Sequence, residues 1–89
     1  MKGTEKQIKY AEALKAQTVN GFTEEISGLT RMVKQYTERQ NETGRDYSEK
    51  IRAKQERIEK LQSKIDALNS IEDAGELIDA IKYRRASIF

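Results

Sequence analysis

Residues 47–68 read YSEKIRAKQERIEKLQSKIDAL, and this run decides the fold. Tyr47, Ile51, Ile58, Leu61, Ile65 and Leu68 stand four, seven, three, four and three residues apart, with Lys54 the single polar residue in step with them. Alternating steps of three and four hold a narrow apolar stripe against one partner, as in a helical hairpin or coiled coil. The spacing therefore predicts a helix over 47–68, about 35 Å long at 1.5 Å per residue.

Upstream, Val19, Phe22, Ile26, Leu29, Val33 and Tyr36 repeat the pattern at steps of three, four, three, four and three. Between the two stripes lies Asn41-Glu42-Thr43-Gly44-Arg45-Asp46. Gly44 suits the left-handed residue that ends a helix, and Asp46 or Ser48 can cap the next one. A short polar turn over 42–46 between two such helices predicts an antiparallel hairpin. It places Tyr36 near Tyr47, and Val19 or Phe22 near Ile65 or Leu68.

The first helix is expected over 4–41. Thr4 and Gln7 form a capping box, and Glu5 favours the positive end of the helix dipole. Ile8, Ala11 and Leu14 give its first apolar residues, followed by a hop of five residues to Val19. That hop, with Asn20-Gly21 inside it, leaves a kink or a break near 17–21 open. Gly21 and Gly28, seven apart, read either as room for another helix or as tolerated weak spots of up to about 1 kcal/mol each. Ser70, with Glu72 and Asp73 behind it, predicts a further N-cap and a third helix over 71–83. Its apolar face is Ala74, Leu77, Ile78 and Ile81.

The stretch Gly3-Thr4-Glu5-Lys6-Gln7-Ile8, followed by Tyr10-Ala11-Glu12, resembles the opening of small, mostly uncharacterised proteins of Gram-positive phages and mobile elements. Those read approximately Gly-Ser/Thr-Glu-Lys-Gln-Ile-x-Trp-Ala-Glu; Tyr10 stands here where they have Trp. The similarity spans residues 3–12 of 89. It implies a mobile-element origin and carries over no functional residues.

Composition narrows the chemistry. The 89 residues contain no Cys and no His, which removes the usual thiolate nucleophile, general base and soft-metal ligands. Glu72, Asp73, Glu76 and Asp79 gather on one short segment, but a di-iron bundle needs Glu-x-x-His, and the five glycines form no phosphate loop. No enzyme activity, cofactor or metal is expected. No apolar run approaches the roughly 18 residues that span a bilayer, and Met1-Lys2-Gly3-Thr4-Glu5-Lys6 lacks a signal-peptide core. A cytoplasmic protein without a membrane partner is the expectation.

The expected architecture is all-α: one helical domain over 1–89, a coiled-coil-like antiparallel hairpin with a short third helix, completed by homodimerisation. Leu14, Met32, Leu77, Ile88 and Phe89 have no place on the main seam, and exposed apolar residues of that kind mark contact surfaces. The expected function is protein binding, as an inhibitor or adaptor acting on a host or phage protein, through Leu77, Ile81, Tyr83, Arg84, Arg85 and Phe89. The rival is a nucleic-acid-binding accessory protein using Arg52, Arg57, Lys82, Arg84 and Arg85 in salt-dependent phosphate contacts. Against it, 17 basic and 15 acidic residues leave a net charge of only +2.

Overall fold

The computed structural model describes residues 1–83. Within them the chain forms α1 (Glu5–Thr43), α2 (Ser48–Ser70) and α3 (Ala74–Lys82). The fold is the all-α hairpin with a short third helix that the two stripes predict.

The capping box forms as read. The Gln7 amide donates to Thr4 Oγ1 at 3.2 Å, and the Thr4 amide donates to Gln7 Oε1 at 3.1 Å. From there α1 runs 39 residues without interruption, so the hop near 17–21 is neither a kink nor a break. Lys15 and Thr18 occupy half-buried positions there and carry the steps of three and four across the gap. Both are polar, which hid the continuity from an apolar count. A Cβ added at Gly21 or Gly28 would meet nothing within 4 Å, so no helix among the described residues approaches them.

Gly44, at φ 71°, terminates α1 with its amide donating to the Gln40 carbonyl at 3.0 Å. Asp46 Oδ1 then accepts from the Ser48 amide at 2.9 Å, and Gln40 Oε1 accepts from the Tyr47 amide at 2.9 Å. Across this turn the Tyr36 and Tyr47 rings lie 5.6 Å apart, centroid to centroid. The pairing is antiparallel, with Phe22 beside Lys64 and both Val19 and Phe22 packed against the core that contains Leu68.

The start of α3 differs from expectation. Ser70 belongs to the last turn of α2, where its hydroxyl donates to the Ala67 carbonyl at 2.7 Å. Asp73 is the cap instead, accepting from the Glu76 amide at 3.0 Å. The reason lies in residues 71–73, whose backbone is held extended by the N-terminal strap. The Lys2 amide donates to the Glu72 carbonyl at 2.8 Å, and the Lys2 carbonyl accepts from the Ala74 amide at 2.7 Å. An extended backbone cannot also form a first helical turn.

This bridge sets α3 beside the start of α1. The molecule measures 58 × 20 × 17 Å, and its long axis is that of α1 alone, so α3 turns back along α1 and does not project beyond it. Ala11, Leu68, Ala74 and Leu77 form a buried core between the three helices, flanked by Ile8, Val19, Phe22, Ile71, Ile78 and Ile81. Leu61, Leu68 and Leu77 are fully buried, each contributing about 1.5–3 kcal/mol of transfer free energy. From residue 22 to residue 60 no side chain is buried to that degree. The molecule is thus a three-helix core at one end and a two-helix arm at the other.

Candidate interaction surface

The arm has two edges of different chemistry, and the heptad register explains both. In an antiparallel pair the residues flanking the seam face their counterparts across each edge. On one edge α2 places Lys50, Arg57 and Lys64, spaced by seven. Arg57 donates from Nε and Nη2 to Glu25 Oε1 of α1, at 3.2 Å each. Lys50 Nζ sits 5.7 Å from the Tyr36 ring centre and 5.8 Å from that of Tyr47, and Lys64 Nζ lies 5.8 Å from that of Phe22. These distances suit cation–π attraction. The two lysines of this edge lie over seam rings, and Arg57 is paired across the edge.

The positions that flank the seam on the opposite edge carry no charge, while Lys34, Arg52 and Glu59 stand one step further out on that side. α1 places Thr23, Thr30 and Thr37 there, again seven apart, and α2 places Ser48, Gln55 and Gln62; all six are exposed. Each threonine hydroxyl donates to the carbonyl four residues back, Val19, Ile26 and Val33 respectively, at 2.8 Å. The hydroxyl protons are therefore satisfied within the helix. Gln62 Nε2 donates to Asp66 Oδ1 at 3.1 Å, at the three-helix end of the strip.

Sequence reasoning did not find these two rows. Their signal was present: once Val19 to Tyr36 and Tyr47 to Leu68 are assigned as seams, the flanking positions follow by counting. The threonine repeat and the cation repeat are then visible in the bare chain.

The expected partner-binding residues divide. Leu77 is fully buried and is a core residue, so it cannot be part of a free surface; the short helix turns that face inward onto Ala11 and Leu68. Ile81 is half-buried against the same core. Tyr83 is 56% exposed, with Lys82 Nζ 5.7 Å from its ring centre. Arg84, Arg85, Ile88 and Phe89 lie outside the described residues. Of the remaining off-seam residues, Leu14 is half-buried and Met32 exposed.

The nucleic-acid set is not brought together either. Arg57 is engaged by Glu25, while Arg52, on the outer side of α2, lies 3.6 Å from Glu56. Lys82 lies on α3, in the three-helix end. Among the described residues, no three or more carboxylates are placed to hold a metal ion, and Asp73 of the acidic segment is used as a helix cap. No helix among them is long and apolar enough to cross a membrane. Hydrogen bonds from the Ser48 side chain and then its backbone hold the Asp46 carboxyl below the ordinary aspartate range.

The chain matches no family model, no curated protein and no solved structure. The resemblance over residues 3–12 accordingly rests on those residues alone.

Proposed function

We propose that the protein is a non-enzymatic helical module that binds protein and works as a homodimer. The resemblance at Gly3–Glu12 adds the setting, a phage or mobile element, in which an inhibitor or adaptor acting on a host protein is the expected role. One observation carries the reading. Over residues 22–60 the arm has two helices and no third layer, whereas the other end is closed by α3 into a full core. A one-layer arm offers length and a defined register to another helix, which is what helix-on-helix recognition uses.

The cations argue in the same direction. Arg57 is matched by Glu25 and Arg52 by Glu56, so the two arm cations of the nucleic-acid reading are already paired with carboxylates. A gel-shift titration with duplex DNA and with RNA, at two salt concentrations, tests the reading. The expected result is no retention even at low salt. Strong retention that weakens with salt overturns it in favour of a nucleic-acid-binding accessory protein.

A further inference from the structure

We infer that residues 1–3 and α3 form a single latch, which opens as a unit while the α1–α2 hairpin stays folded. The inference does not rest on the binding-module reading and bears on it through Leu77 alone.

The first ground is that neither half of the latch holds by itself. α3 has nine residues, and isolated helices shorter than about 12–15 residues are marginal in water. Its helix therefore persists only while docked. The strap has no regular structure beyond its bridge to Asp73. The two halves share their fastenings. The Lys2 amide donates to the Glu72 carbonyl, and the Lys2 carbonyl accepts from the amide of Ala74, the first residue of α3. Gly3 packs on the same alanine, where a Cβ on the glycine would lie 3.0 Å from that of Ala74. Undocking α3 strips the strap of its partners, and peeling off the strap frees the start of α3.

The second ground is that the contact under α3 is thin. α3 packs chiefly on α1. Of the side chains it buries, Ala74 and Ala80 carry one methyl each, and Leu77 is the only large one. A methyl removes far less apolar surface from water than a leucine does. Both ion pairs among the described residues, Arg52–Glu56 and Arg57–Glu25, lie within the hairpin.

The third ground is that the hairpin keeps a core of its own. Leu61 and Ile65 are buried outside the cluster in which Ala74 and Leu77 meet Ala11 and Leu68. The Tyr36–Tyr47 contact closes the far end of the same hairpin. Segments with few buried apolar contacts open as cooperative units below the free energy of global unfolding. Leu77, expected at the surface and found buried, reaches solvent in this open state.

Amide hydrogen exchange on the 89-residue chain, read residue by residue by NMR, is the test. The Lys2, Ala74 and Leu77 amides should share one protection factor, at least ~10-fold below those of Leu61 and Ile65. Urea should speed the three with one common slope, shallower than that of Leu61, because less surface is uncovered. Gly21→Ala combined with Gly28→Ala strengthens α1 in the open and closed states alike. It should slow Leu61 and Ile65 by about 5–30-fold and leave the three latch amides unchanged. Gly3→Ala should speed all three latch amides by one factor, about fivefold or more.

Latch amides as protected as Leu61, with the same urea slope, overturn the inference, because the molecule then opens only as a whole. So does a Lys2 amide that exchanges freely while Leu77 stays protected, since the strap would fray alone. Latch amides that the two alanines slow as much as Leu61 also overturn it, an answer that does not depend on the Gly3 variant folding.

Discussion

Gly3 and Ala74 touch across 71 residues of chain: a Cβ built on Gly3 would lie 3.0 Å from the Cβ of Ala74. Gly3 also sits at φ 140°, where side chains are strained. Two independent constraints thus require glycine at the start of the segment that resembles mobile-element proteins. Gly3→Ala should lower stability by about 1–3 kcal/mol, read as a drop of several degrees in melting temperature. An unchanged melt would show that the strap is not held against α3.

Gly21 and Gly28 present the opposite case. Both are helical, and an added Cβ meets nothing. Gly21→Ala and Gly28→Ala should each stabilise the chain by about 0.5–1 kcal/mol, through a smaller loss of backbone entropy. They lie about two turns apart, so their effects on a urea midpoint should add. A loss of stability at either site would place something against that face.

Leu61 is fully buried where the arm enters the three-helix end. Leu61→Asp buries an unpaired carboxylate and should abolish the cooperative melt and the helical circular dichroism signal. Leu68→Ala, in the three-helix core, should cost about 2–5 kcal/mol and leave a folded chain at low temperature. Retention of wild-type stability by the aspartate variant would contradict the seam.

Asp46 gives the turn a pH signature. Its carboxyl ionises at lower pH in the folded chain than in the unfolded one, because it accepts from Ser48. The sign follows: its small contribution is present above the unfolded carboxyl's value and is lost as pH falls through the folded one. The Ser48 amide resonance should titrate with a midpoint below the ordinary aspartate range. Asp46→Asn keeps an acceptor oxygen and should remove the titration while the turn persists.

Arg57 and Glu25 join the two helices of the arm at its surface, each with 44% of the side chain exposed. An exposed pair is worth little, so a double-mutant cycle with Arg57→Ala and Glu25→Ala should return a coupling of about 0.2–1 kcal/mol. A coupling near zero would mean the seam alone sets the register.

How much of this was legible depended on the physical origin of each feature. The seams of α1 and α2 were, because burial enforces a three-and-four spacing that survives in the bare residues. The pairing of Tyr36 with Tyr47 followed from Gly44 and turn geometry. The continuity of α1 did not, because Lys15 and Thr18 lie half-buried in a stripe that was counted by apolar residues. Nor did the cap of α3: Ser70 and Asp73 are both good caps locally, and the choice is made by Lys2, 71 residues upstream of Asp73. Leu77 looked available for binding because a nine-residue helix has no visible partner in a hairpin pattern. For the candidate surface, the threonine and cation rows were hidden only until the seams gave them a frame.

The strap has a consequence for the order in which the molecule assembles. Tyr36 and Tyr47 can meet by closing a tight loop, and zipping outward from Gly44 adds neighbours at little further entropic penalty. Lys2 cannot meet Glu72 and Ala74 until both long helices have aligned. The tip is then the expected nucleus, and the end that holds the three-helix core is expected to lock last.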